Sequence, residues 1–268
     1  MPPLYADIYQ NCHFPTGSWF KKREDSIVAV AGRNFRLLRV FYGSYSKERN
    51  AWKVLFDGVE VHNGDLNGDE MVVLRFRYQL PPIDRNTSKP IERSDFMHTG
   101  TLRREFDREI RCMQACHGSG HMPEYIAHEE HAQRLAEDPY PDGGLVLALV
   151  MTKLHGQHLG FYDPWPKPLF LTPDDMRSIR QQCVDALEYA RQRGMAHNIG
   201  PDKIIFDPET KTVSLYPMDQ FWFEEDQRST IGLDSPITEE SPHFFQFKSR
   251  LQDEWPDNDV EIPLPEDS

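Results

Sequence analysis

The stretch TPDDMRSIRQQCVDALEYARQRGMAHNIGPDKIIFDPETKTVSLYPMD, residues 172–219, carries the strongest pattern in this sequence. Its first part has a threonine followed three residues later by an aspartate, a proline at the first helical position and a closing glycine at 194. These are the marks of a capped helix. Two short apolar runs after a tight loop predict two strands. The periodicity predicts an amphipathic helix over 172–193, with a buried face made by Met176, Ile179, Cys183, Leu187 and Ala190.

The loop GMAHNIGPDKIIFD at 194–207 follows this helix and has the order of residues found in a protein kinase catalytic loop. In that family the loop carries His-Arg-Asp and, five residues after the aspartate, an asparagine that holds magnesium. The matching positions here are Ala196-His197-Asn198 and Lys203. The chain therefore resembles the protein kinase-like superfamily, especially its compact, divergent fungal-type members.

Three further segments extend the resemblance over about residues 71–219. VVLR at 72–75 is similar to the strand whose lysine binds phosphate, with Arg75 in the lysine's place. The helix predicted at Thr101–Cys116 resembles the one whose glutamate pairs with that lysine, which implies an Arg75–Glu109 ion pair. LVLALVMTKLHG at 145–156 is similar to the fifth strand and hinge. The resemblance thus implies a nucleotide pocket with a hinge, made by Arg75, Glu109, Met151 and Lys153.

The catalytic positions implied by the resemblance have lost their chemistry. Asn198 is an amide and cannot accept a proton from a substrate hydroxyl near neutral pH. Lys203 cannot bind magnesium through oxygen. Pro217 stands where the metal-binding aspartate is expected, unless a slip in the preceding turn moves Asp219 into that position. No GxGxxG precedes the strand of Arg75. These departures indicate a pseudokinase, with no residue assigned as a metal ligand.

Three functions remain open from the residues and the resemblance. The first is a catalytically inactive kinase-like protein that acts as a protein-binding or scaffolding module. The alternative is an atypical ATP-dependent phosphotransferase that uses Asp219 or Asp202 as its carboxylate. A third interpretation is that ATP binds without metal, held by Arg75 and Lys203; no other cofactor is implied.

A group of thiols and imidazoles near the predicted helix at Thr101–Cys116 raises a zinc hypothesis. Thiolate and imidazole are the usual protein ligands of zinc, and this segment contains Cys112, Cys116, His117 and His121, with His128 and His131 nearby. It has no paired C-x2-C knuckle, and Cys116 also fits the packing face of the helix. Structural thiols and surface histidines are therefore the favoured interpretation.

The order of predicted elements, together with the resemblance, implies an α+β, two-lobed kinase-like fold. Its N-terminal lobe would be an antiparallel sheet plus one helix, and its shortened C-terminal lobe would be mainly helical; a generic α+β domain is the alternative. Strands are predicted within Ser26–Val61, at 71–78, over Met122–Glu130 and at 145–154, with a polar turn at Asn63–Glu70. The implied divisions are an irregular arm at 1–26, the N-lobe at 27–154, the C-lobe at 155–252 with a short helix at 243–252, and an acidic, disordered tail at 253–268.

Composition narrows the classes of partner. The chain has 268 residues, 38% of them hydrophobic and 12% aromatic, which is enough for a core. Its net charge of −13 argues against nucleic acid and anionic membrane as main partners, since both require a basic surface. No apolar run approaches 20 residues, and its four cysteines are typical of reduced thiols. We expect a cytoplasmic or nuclear protein with a protein partner of unknown identity.

Overall fold

The computed structural model describes residues 19–46, 49, 51–62, 65–79, 99–134, 138, 144–159, 171–197, 203–216, 218, 221–223 and 235–241. Three helices lie in these ranges: α1 (Trp19–Lys22), α2 (Thr99–Ala115) and α3 (Pro173–Arg191). Six strands build the main sheet: β1 (Ile27–Val30), β2 (Arg33–Ser46), β3 (Ala51–His62), β4 (Asp65–Gln79), β5 (Tyr125–Ala132) and β6 (Leu145–Thr152). Five short strands follow: β7 (Gln157–His158), β8 (Met195–His197), β9 (Ile204–Asp207), β10 (Thr212–Leu215) and β11 (Phe221–Phe223).

The main sheet is antiparallel and nearly closes into a barrel. Its strand order is β1-β2-β3-β4-β6-β5, so β1 and β5 form the two edges. These edges approach each other: the Ala31 amide donates to Glu129 Oε2 over 2.8 Å, and an Arg33 guanidinium nitrogen donates to the Ile126 carbonyl over 3.3 Å. Bringing the edges together leaves fewer strand hydrogen-bonding groups unpaired.

Side-chain alternation divides the sheet into a barrel interior and an outer face. On β4, residues Val72, Leu74, Phe76 and Tyr78 point into one buried apolar cluster, which α1 joins through Phe20. Val73 lies in a second cluster on the outer face, with alternate residues of β6 such as Leu147 and Leu149. Because both faces of β6 are covered, its sequence is a continuous apolar run instead of an alternating one.

The outer face packs against α2, α3 and the short strands in one continuous core. This second cluster includes Phe106 of α2, Ile179 and Leu187 of α3, and Phe206 of β9. The short strands form two small sheets, ordered β10-β9-β7 and β11-β8. The main sheet, the helices and the small sheets therefore share buried apolar contacts.

The two-lobed kinase-like fold with a mainly helical C-terminal lobe is wrong. After β6 the described residues form one long helix, α3, and five short strands. The part expected to be a separate N-lobe is a nearly closed six-stranded barrel-like sheet, and the molecule is mostly β. The physical reason is that residues of α2, α3 and β9 cover the outer face of β4 and β6 in one core. These elements therefore pack on the sheet and do not form a separate helical lobe.

Several local predictions are confirmed, and one is wrong. Thr172 caps α3, with its hydroxyl accepting from the Asp175 amide over 3.1 Å and the Asp175 carboxylate accepting from the Thr172 amide over 3.1 Å. Gly194 adopts φ of +72° just after the helix. The polar turn expected at Asn63–Glu70 is wrong for residues 65–70, because β4 begins at Asp65 and continues the ladder with β3; Asn63 and Gly64 lie outside the described residues. The helix expected at 243–252 and the tail at 253–268 lie outside the described residues.

Glu188, near the C-terminal end of α3, binds both the last turn of the helix and a later segment of the chain. Glu188 accepts hydrogen bonds from Arg191 at 2.6 and 2.7 Å and from the amide of Ile237 at 2.8 Å. The hydrogen bond from Arg191 is the main reason that the pKa of Glu188 falls to about 2.

A membrane-spanning helix must be both long and apolar, and none of the helices in the described ranges meets these two requirements.

Candidate functional site

Arg75 and Glu109 form an ion pair between β4 and α2, which the kinase resemblance implied. Alternation along β4 turns Arg75 and Arg77 away from the barrel interior and toward the helix. An Arg75 guanidinium nitrogen contacts Glu109 Oε2, and the two side chains are 0% and 1% exposed. Arg77 donates to the same oxygen over 3.0 Å. One carboxylate therefore binds two guanidinium groups at a site closed to solvent.

A second carboxylate of α2 extends this cluster toward the surface. Glu105, one helical turn before Glu109, lies 3.5 Å from Arg77 and accepts a 2.5 Å hydrogen bond from Arg49. Removing charges from water is costly, and the cost is offset only when the pairing geometry is good. The shared carboxylates thus attach α2 to the sheet, and the site fixes the position of the helix.

Met151 and Lys153, the other two residues predicted to hold a nucleotide, also have internal contacts. Met151 is 2% exposed and belongs to the apolar core on the outer face of the sheet. Lys153 binds Asp57 of β3 at 2.9 Å, and the same carboxylate binds Arg39 at 2.9 Å. The structure therefore does not gather Arg75, Glu109, Met151 and Lys153 around one described cavity.

The predicted catalytic positions are only partly described. Asn198, Asp202, Pro217 and Asp219 lie outside the described residues. Lys203 precedes β9, where its carbonyl accepts from the Tyr216 amide over 3.0 Å. The choice between Pro217 and Asp219 for the metal position therefore stays a prediction.

The thiols and imidazoles of the zinc hypothesis lie in different surroundings and do not converge on one position. Cys112 and Cys116 are buried in the apolar core, and this burial raises the pKa of each thiol to about 12. His117 pairs with Glu124, and His121 Nδ1 lies 2.9 Å from the Val213 carbonyl. Across the part of the chain that the structure describes, no three such residues are arranged to hold a metal ion.

A cavity that sequence reasoning missed lies beside the ion-pair cluster. It has a volume of about 200 Å³ and opens between α2 and the ends of β2, β3 and β4. Its polar lining comes from all four elements and from the β2–β3 turn: Ser44, Ser46, Arg49, Lys53, Arg77, Glu105 and Arg108. The only signal in the sequence is the presence of cations in otherwise apolar strands. Their convergence depends on strand register, which no spacing rule supplies.

Comparison with models of known protein families finds no match to this chain, and comparison with curated proteins finds no related sequence.

Proposed function

We propose that this chain is a catalytically inactive protein that acts as a protein-binding or scaffolding module. The observation that carries the proposal is the burial of the Arg75–Glu109 pair, whose side chains are at most 1% exposed. In an active protein kinase the cation of such an ion pair also contacts the nucleotide phosphates, so it must be open to the nucleotide pocket. Here the guanidinium group of Arg75 contacts Glu109 inside the protein, where it attaches α2 to the sheet.

The neighbouring residues support the same proposal. Lys153 is bound to Asp57, and Met151 contributes to the apolar core. At the positions that the kinase resemblance made catalytic, Asn198 has no basic group and Lys203 cannot be a magnesium ligand. A nucleotide held by Arg75 and Lys203 is not part of the proposal, because the side chain of Arg75 is 0% exposed.

The net charge of −13 favours a protein partner over nucleic acid or an anionic membrane. We further propose a cytoplasmic or nuclear location, because the four cysteines are typical of reduced thiols.

The test is a phosphotransfer assay on the full chain with labelled ATP and either magnesium or manganese. We expect no transfer to the protein itself, to general protein substrates or to small-molecule acceptors. Asp202→Asn and Asp219→Asn serve as matched variants, since each removes one of the carboxylates that the alternative enzyme requires. Transfer by the unaltered chain that either variant abolishes would establish the phosphotransferase and refute the proposal.

The binding half of the proposal is tested with the same variants. If the chain is purified in a stoichiometric complex with a partner protein, Asp202→Asn and Asp219→Asn should leave that complex intact by size-exclusion chromatography. A complex that requires ATP turnover, or a chain that is monomeric and unpartnered when purified from its native source, would argue against a scaffold.

A further inference from the structure

The cavity between α2 and the β2–β3 hairpin has a lining rich in cations. Its described lining includes four cations and one carboxylate: Arg49, Lys53, Arg77, Arg108 and Glu105. Cations are the minority charge in this chain, which has 30 lysines and arginines against 43 aspartates and glutamates. We propose that the cavity binds a phosphate group.

Strand register places two of these cations directly opposite each other. Ser44 of β2 is paired with Lys53 of β3, and Lys53 is paired with Arg77 of β4. All three line the cavity. The sheet therefore holds the two cations side by side, so that one anion in the cavity contacts both.

The arginine head groups are held in place by internal contacts. Arg77 is held by Glu109 at 3.0 Å, and Arg49 by Glu105 at 2.5 Å. The Ser46 hydroxyl also accepts from the Arg49 amide over 3.3 Å. A preorganised site loses less side-chain entropy on binding than a flexible one. These contacts therefore favour a specific site over diffuse attraction.

The size and donors of the cavity select the class of ligand. At about 200 Å³ it is smaller than the roughly 300–1,000 Å³ of sites for drug-sized molecules. It therefore accepts a small anion or the anionic end of a larger ligand. Arginine forks match the oxygens of phosphate in pairs, and lysine adds a point charge. A phosphate group offers three acceptor oxygens to these donors, one more than a carboxylate does.

This site is separate from the residues that the kinase resemblance singled out. Arg75, Met151 and Lys153 are not among its described lining residues. Phosphate binding here depends neither on nucleotide binding nor on the absence of catalysis. A failure of one proposal leaves the other standing.

The test is calorimetric titration of the full chain with inorganic phosphate, a short phosphoserine peptide and its unphosphorylated form. Lys53→Gln and Arg108→Gln each remove one cation from the cavity. Each should weaken binding roughly ten- to a hundredfold, the range for loss of a hydrogen bond to a charged group. Arg103→Gln is the matched control, because Arg103 lies on the same helix, pairs with Glu130 and has a 48% exposed side chain outside the cavity.

A second readout comes from Trp52, which also lines the cavity. Phosphate should change the tryptophan fluorescence of the unaltered chain, and most of that change should disappear in Trp52→Phe. Thermal melts of each variant establish that it is folded before its affinity is compared.

The outcomes separate the sources of the phosphate. Equal affinity for inorganic phosphate and phosphopeptide indicates a site for the free anion, whereas tighter binding of the phosphopeptide indicates a phosphorylated partner; both support the proposal. Absence of binding by inorganic phosphate and phosphopeptide overturns it. Equal weakening by Arg103→Gln, or equal affinity for both peptides without binding of inorganic phosphate, overturns it as well.

Discussion

Replacing Glu109 with glutamine tests whether the buried carboxylate holds α2 on the sheet. The substitution keeps the shape of the side chain and removes its charge. Arg75, with a side chain that is 0% exposed, then loses the carboxylate that it contacts. Breaking a buried ion pair by removing one partner costs about 3–5 kcal/mol. Arg77 keeps Glu105 at 3.5 Å, so we assign most of this cost to Arg75.

The assay is urea unfolding at pH 7, followed by tryptophan fluorescence. The free energy of unfolding of an ordinary domain is about 5–15 kcal/mol, so Glu109→Gln should remove a large fraction of that free energy. The midpoint should fall with little change in the dependence on urea, since the same surface is exposed on unfolding. Glu130→Gln is the matched control, because the Arg103–Glu130 pair is exposed and worth only about 0–1 kcal/mol.

A double substitution separates lost pairing from lost packing. Arg75→Met with Glu109→Leu replaces the pair with apolar side chains, a change that is often close to neutral for buried pairs. We expect it to cost much less than the two single substitutions together. If Glu109→Gln costs no more than Glu130→Gln, or if the double substitution costs as much as the two singles combined, the pair does not hold the helix.

Further predictions concern backbone, pH and thiols. Gly156 has φ of +106°, and an added Cβ would lie 2.4 Å from the Phe206 carbonyl oxygen. Gly118 also has positive φ but has open space around it, so Gly118→Ala should lower the free energy of unfolding by roughly 1–2 kcal/mol. Gly156→Ala should lower it by more, as measured by urea unfolding. The pKa of Glu188 is depressed to about 2, so its contribution to stability is present above its unfolded pKa of about 4.3 and is lost as pH falls toward 2. Glu188→Gln should flatten the fall of unfolding free energy between pH 5 and 2, and an unchanged pH profile would contradict this. With Cys12→Ser in place, the three buried cysteines should resist alkylation at pH 8 until urea unfolds the chain, whereas rapid labelling of the folded protein would contradict their raised pKa.

Local patterns in the sequence predicted the elements whose signals lie within a few residues. The capping box at Thr172 and the helical spacing after it define α3, because both signals depend on contacts one turn apart. Alternation along β4 puts Arg75 on the face toward α2, whereas its pairing with Glu109 was expected from the kinase resemblance. The expected role of that pair in a nucleotide pocket is not supported by its burial. Burial could not be predicted from the sequence, because it depends on which elements cover the strand.

Long-range pairing was decided only by the tertiary structure. The hydrogen bond from Ala31 to Glu129 joins residues 98 positions apart and helps to bring the two edges of the sheet together. Periodicity indicates which face of a strand is apolar, but it does not say which strands are neighbours or whether a sheet curves until its edges meet. The stretch at 172–219 therefore predicted its own helix and the following strands, whereas the expectation of a helical lobe around them was wrong. The cationic cavity has the same origin, because register and the packing of α2 bring Lys53, Arg77 and Arg108 together from separate parts of the chain.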